Sequence, residues 1–149
     1  MDSVPVHVPA HSWVEGEKRM TDIRLLFGQG LAFPIRPDGN KTLAWSRGED
    51  NVRQSIMLIL LTERGERVML PEFGAGLKRF LFQPNTVATR RLIEEEITRA
   101  LERWEPRIEL ENISVEADAE DAHAAIATVN YRLVANRSRQ ELQLQVQLN

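Results

Sequence analysis

An α+β fold is what this chain predicts: two main helices and a short helix followed by a three-stranded antiparallel sheet, with an extended N-terminal arm. Three observations carry that prediction. Apolar residues recur at spacings of three and four from Val52 to Leu61 and again from Ile93 to Trp104, the period of an amphipathic helix. After Pro106 the period drops to two and holds through three runs, as in half-buried strands. The length, 149 residues, suits one hydrophobic core, so the division is an arm, residues 1–22, and one domain, residues 23–149.

The arm has Pro5 and Pro9 and no sustained period. Val4, Val6 and Val8 alternate as a strand would, but each proline removes a ladder donor and restricts such a strand to an edge. Ile23 to Phe27, the Gly28-Gln29-Gly30 turn and Pro37-Asp38-Gly39-Asn40 make a looped region anchored by Phe27, Leu31 and Phe33. Ser46 then reads as a helix N-cap with Glu49 as its capping-box partner, opening a helix whose core face is Val52, Ile56, Ile59 and Leu60 and which ends before Gly65. Glu66 to Leu70 is predicted extended up to Pro71, Phe73 to Gly76 a turn, and Leu77 to Phe82 a short helical piece.

The second main helix starts at Pro84 or Asn85 and runs to Trp104. Ile93, Ile97, Ala100, Leu101 and Trp104 form its inner face, Glu94, Glu95, Arg99, Glu102 and Arg103 its outer one, and Pro106 forces the stop. Ile108 and Leu110 alternate, then Ile113, Val115 and Ala117 alternate in the opposite phase, which predicts a bulge near Glu111-Asn112. Ala127, Val129, Tyr131 and Leu133 give a second strand. Leu142, Leu144, Val146 and Leu148, interleaved with Glu141, Gln143, Gln145 and Gln147, give a third, with one wet face.

Composition excludes several chemistries. With no cysteine there is no disulfide, thiolate metal site or cysteine nucleophile. The longest apolar run, Ile56 to Leu61, is far short of the roughly 20 residues of a membrane span. The formal charge of −3 divides unevenly: residues 1–91 carry 13 basic against 10 acidic side chains, residues 92–149 carry 6 against 12. Basic residues are therefore not concentrated as a nucleic-acid footprint requires, and faces of opposite sign suit different protein neighbours. Gly28-x-Gly30 lacks the third glycine and following helix of a phosphate loop. His7, His11 and His123 have no third ligand nearby, and Asp118, Glu120 and Asp121 lack the central glycine and terminal glutamate of a calcium loop. No catalytic constellation, cofactor site or metal site emerges, and Glu72 and Glu105 are the carboxylates whose apolar and proline neighbours could bury them.

Two features remain. Trp104-Glu105-Pro106-Arg107 places an acid and a guanidinium at a rigid corner between helix and sheet, with their charges directed away from the joint. It is either a local cap and salt bridge or a docking point for a partner's charged groups. The strand from Leu142 to Leu148 carries no proline or lysine to protect its outer edge, and an open edge invites strand addition, unless the strand is central or the arm covers it.

Taken in order, Phe27-Gly28-Gln29-Gly30-Leu31-Ala32-Phe33-Pro34, then Leu60-Leu61-Thr62-Glu63-Arg64-Gly65-Glu66-Arg67-Val68-Met69-Leu70-Pro71-Glu72-Phe73-Gly74, then Trp104-Glu105-Pro106-Arg107 resemble the baseplate-wedge, sheath-initiator proteins. These belong to contractile phage tails, type VI secretion systems and extracellular contractile injection particles. The resemblance spans residues 26–149. It implies a non-enzymatic structural part without cofactor, one copy per wedge, assembled in the cytoplasm and incorporated into a phage-tail-like particle. Its implied partners are baseplate wedge proteins, met through Glu105, Pro106 and Arg107, and the sheath protein, whose arms pair by strand exchange with the sheet at Leu142, Leu144, Val146 and Leu148. The arm is left to a tube or spike-hub protein, and neither nucleic acid nor membrane is implied.

The chain departs from injection-particle relatives at its end. Those relatives finish in an Asn-Leu-Val-Tyr-Pro-Phe-like run, where this chain has Glu141 to Leu148 in strict alternation. Some phage relatives carry a lysozyme-like label, so a peptidoglycan hydrolase is the alternative. It requires two carboxylates facing each other across a cleft, about 5 to 10 Å apart.

Overall fold

The computed structural model describes residues 27–32, 35 and 44–149. Expectations for the arm, for Ile23 to Leu26, for Phe33 and for the Pro37–Asn40 turn lie outside the described residues. A small antiparallel pair, β1 (Gln29–Leu31) and β2 (Trp45–Arg47), precedes helix α1 (Glu49–Leu61). A 3-10 turn (Leu77–Phe80) leads to helix α2 (Val87–Trp104), and β3 (Ile108–Ala117), β4 (Ala124–Leu133) and β5 (Arg139–Gln147) follow as an antiparallel meander with β4 central. The predicted α+β class holds, with the β1/β2 pair as an addition.

Both helices lie on the sheet face that carries Val115, Val129, Tyr131, Leu133, Leu142 and Val146, and their buried residues merge with these in one core. Ile56, Ile59 and Leu60 of α1 and Ile93, Ile97 and Leu101 of α2 are shut off from water. Each such side chain contributes about 1.5–3 kcal/mol of transfer free energy. The shift of phase after Leu110 appears as the predicted bulge, with Leu110 opposite Tyr131 and Asn112 opposite Asn130.

Ser46 is not a helix cap. It pairs with Gly30 in the β1/β2 ladder and is buried. Strand pairing overrides the Ser-x-x-Glu pattern, and Gly48 becomes the cap at φ 64° and ψ −140°, without a side-chain hydrogen bond, a conformation open mainly to glycine. Glu49 instead accepts from Asn136, Ser138 and Gln140, joining α1 to the β4–β5 turn. Likewise α2 begins at Val87 rather than Pro84, because the Thr86 hydroxyl accepts the Thr89 N–H at 3.2 Å.

Glu66 to Leu70 is not extended. With no strand beside it among the described residues, the chain closes on itself through Gly65 N–H to Pro71 O at 2.6 Å and Leu70 N–H to Arg67 O at 3.3 Å. Val68 and Met69 stand at the tip, 93% and 90% exposed. The return to the core passes Gly74 at φ 107°, where an added Cβ would meet the Thr62 carbonyl oxygen at 2.2 Å.

Candidate functional site

Pro106 ends α2 and turns the chain into β3, so Glu105 and Arg107 sit two residues apart on a rigid joint. Their charges face each other, not outward. Glu105, only 2% exposed, receives Arg107 Nε on one carboxylate oxygen and Nη2 on the other, both at 2.6 Å. This fork geometry is the strong form of an arginine–carboxylate pair. The Glu105 hydrogen bond raises the Arg107 pKa against the opposing effect of burial.

The third interaction of Arg107 is long-range. Its Nη1 donates to Phe27 O at 2.7 Å, and Asn51 Nδ2 donates to the same oxygen at 3.0 Å. Val134 N–H donates to Arg107 O at 2.9 Å. The corner thus binds the segment before β1, helix α1, the joint after α2 and the end of β4. The local salt bridge is therefore present and buried on its Glu105 side. Arg107 keeps a third of its side chain exposed and, with three of five N–H groups used, two donors without a partner among the described residues.

The sheet edges are unequal. Leu148 N–H bonds His123 O at 2.6 Å and Leu133 N–H bonds Ser138 O at 2.9 Å. With the register Ala124–Gln147 to Arg132–Arg139, these end bonds set the phase of the antiparallel ladder. Leu142, Leu144, Val146 and Leu148 direct their main-chain groups to β4. Their side chains face the core, where Leu142, Val146 and Leu148 are buried. Leu148 lies just past the end of β5. The groups left for an added strand belong to Glu141, Gln143, Gln145 and Gln147, whose side chains lie on the wet face.

On the opposite edge, Asp118 N–H to Ala124 O at 3.0 Å sets the β3 phase, so Val115 directs its N–H outward. Glu94 of α2 accepts that N–H at 2.9 Å. Helix α2 therefore takes up one outward N–H of the β3 edge, while on the opposite edge Asn149 N–H, just past β5, donates to Gln83 O at 3.0 Å.

A second charged cluster escaped sequence reasoning. Glu96, nearly buried on α2, accepts Arg64 at 2.6 Å, Arg79 at 2.8 Å and Arg99 at 2.5 Å. Burial alone would raise its pKa, but the Arg79 hydrogen bond and the charges of Arg79, Arg64 and Arg99 hold it below the usual carboxylate range. A signal existed: position 96 lies three after Ile93 and four before Ala100, on the apolar side of α2. Its partners Arg64 and Arg79 come from the segment between the helices, where spacing says nothing.

The remaining candidates serve local structure. Glu72 is paired with Arg103 on the surface. Asp118 and Asp121 accept Glu120 N–H and His123 N–H within the β3–β4 turn, and Gln145 and Gln147 reach across to them. Glu72 and Glu105 are thus each engaged by a different arginine, not set as a facing pair. No helix among the described residues is long and apolar enough to cross a membrane.

Residues 46–138 match the family described as baseplate wedge protein gp25. The chain belongs to the baseplate wedge protein gp25 family. Baseplate wedge protein gp25 of Enterobacteria phage T4 is 30% identical over 102 residues, covering 68% of this chain and 76% of the phage protein. A Geobacter sulfurreducens crystal structure with a provisional tail-lysozyme name is 36% identical, with a TM-score of 0.62 over 68% of this chain and 91% of that one. A chain in the baseplate of the anti-feeding prophage is 25% identical, with a TM-score of 0.60 over 84% of this chain and 91% of its own. The stretch matched to the gp25 family runs from β2 to the β4–β5 turn and includes the Glu105–Arg107 corner. As a gp25-family member the chain is a baseplate wedge protein of contractile phage-tail-like systems.

Proposed function

We propose that this baseplate wedge protein is a non-enzymatic connector that docks on neighbouring wedge proteins at the Glu105-Pro106-Arg107 corner and starts sheath polymerisation by β-strand exchange. The observation that carries the reading is the inequality of the two edges. The Glu94 carboxylate occupies the Val115 N–H midway along the β3 edge, whereas at the outer edge of β5 the bond of Asn149 N–H to Gln83 O lies past the strand's end and Glu141, Gln143, Gln145 and Gln147 present main-chain groups. Strand addition uses such groups, so sheath arms pair with β5. Leu142, Leu144, Val146 and Leu148 support this pairing from within, by fixing β5 to the core.

At the corner, the exposed third of Arg107 and its two remaining donors are the docking element, and Glu105 holds the guanidinium in place. The arm, residues 1–22, contacts a tube or spike-hub protein. Assembly takes place in the cytoplasm, before the particle is complete. The non-enzymatic reading is supported by Glu72 and Glu105 each being bound to an arginine, Arg103 and Arg107, which occupies both carboxylates. Glycoside hydrolysis needs two carboxyl groups that face a substrate across a cleft.

Removing residues 141–149 would take Leu142, Val146 and Leu148 out of the core, so truncation does not separate pairing from folding. Gln145→Pro does. Its N–H faces outward, so proline deletes a donor for the incoming strand without breaking a bond to β4, and proline is tolerated at such edge positions. The expected result is a folded protein, complete baseplates and no sheath in electron micrographs. Normal sheaths on Gln145→Pro baseplates would overturn the proposal.

A further inference from the structure

The open edge of β5 borders an apolar groove. Leu60 and Leu61 at the end of α1, Leu77 and Leu81 around the 3-10 turn, and Leu144 and Val146 of β5 line a cavity of about 130 Å³, with Glu63 and Lys78 at its rim. Its wall is held in place, because Lys78 N–H donates to Glu63 Oε1 at 2.7 Å and so ties the 3-10 turn to the end of α1. Leu61 and Leu81 remain 45% and 38% exposed.

Groove and edge share one geometry. A strand added to β5 lies about 4.8 Å from it, and residues directly opposite each other project to the same sheet face. A residue opposite Leu144 or Val146 therefore points to the core side, over the groove between β5 and the 3-10 turn. Its neighbours point to the wet face, beside Gln145 and Gln147. We infer that the groove is a socket for a single aliphatic or aromatic side chain of the incoming strand, and that it sets the register in which that strand pairs.

The occupant is an extended segment of a partner protein, with one large apolar residue at a core-facing position and polar residues on either side of it. The main-chain groups of Gln143, Gln145 and Gln147 alongside the groove, without partners among the described residues, call for a strand rather than a helix or a small ligand. Register needs such a device. A slip by one residue turns every side chain to the wrong face, and the polar wet face of β5, with three glutamines in alternation, does little to oppose it. The inference rests on the reading that β5 accepts a strand.

The test uses the full-length protein and two fluorescent nine-residue peptides of alternating threonine and serine, one with leucine at the central position and one with glutamine there. Fluorescence anisotropy is expected to show the leucine peptide binding at least about tenfold more tightly, the low end for burial of one aliphatic side chain. That preference should vanish in Leu81→Glu and in Leu61→Glu, two half-exposed positions whose unchanged melting temperatures would certify the fold. Gln145→Pro should bind neither peptide. Equal affinity for both peptides, with Gln145→Pro inactive, would overturn the socket and leave strand addition standing. Full binding by Gln145→Pro would overturn both. Peptide binding that appears only after residues 1–22 are deleted would assign the groove to this chain's own arm, and a dimer dissociated by Leu81→Glu would assign it to a second copy; either result overturns the partner reading.

Discussion

Replacing Arg107 with alanine tests whether the corner is a structural lock. The Glu105 carboxylate, only 1% exposed, would lose both of its 2.6 Å hydrogen bonds from the guanidinium. Removing one partner of a buried ion pair costs about 3–5 kcal/mol, because the other charge stays buried without compensation. The Arg107 side chain is 32% exposed, which puts the cost near 3. The lost bond to Phe27 O adds less than about 1 kcal/mol, since Asn51 still donates to that oxygen. At about 2–4 °C per kcal/mol for a domain of this size, the melting temperature should fall by about 6–16 °C, measured by circular dichroism. The double variant Glu105→Leu with Arg107→Met removes both charges and should recover most of the loss. A fall below 2 °C in Arg107→Ala, or a double variant no more stable than the single one, would refute the lock.

Two further outcomes follow from local geometry. Gly74→Ala should cost more than about 2 kcal/mol in urea unfolding, since the new Cβ must displace the Thr62 carbonyl from 2.2 Å at a φ of 107°; a midpoint unchanged from wild type would contradict the close approach. Glu96 has a folded pKa below its ordinary value of 4.5, so its contribution is fully present above that pH and is lost as the pH falls through the lowered value. Glu96→Gln should therefore lower stability by about 1 kcal/mol at pH 7, the three exposed guanidiniums limiting the effect, and flatten the decline below pH 4.5. Parallel acid limbs in the two proteins would exclude this account.

What could be read from the sequence was decided by neighbours along the chain. The inner face of α2, its stop at Pro106 and the bulge after Leu110 all follow from periods and phases, and the structure has each of them. The alternation from Glu141 to Leu148 likewise fixed which side chains enter the core. Which main-chain groups face outward depended on the register with β4, a relation to another strand, and it selects Gln145 and its glutamine neighbours.

Failures had the same origin. Ser46-x-x-Glu49 satisfies a local capping rule, but Ser46 is claimed by Gly30 across the β1/β2 pair. Val68-Met69-Leu70 has strand composition and no strand beside it among the described residues. At the candidate site, the Glu105–Arg107 pair was legible as a corner because its members are two residues apart. That it faces inward, and that it anchors Phe27 from a distance of 80 residues, depends on packing no window of sequence contains.

The Glu94 carboxylate on the Val115 N–H makes the two edges of the sheet different in chemistry along their length. A sheet with two free edges can sit anywhere in a row of its own kind and can extend from either side without limit. One whose outward amide is already held by a side chain must break that bond before another strand can take its place. The Glu94–Val115 contact thus adds a cost to pairing at β3 that the main-chain groups of Glu141, Gln143, Gln145 and Gln147 do not carry among the described residues.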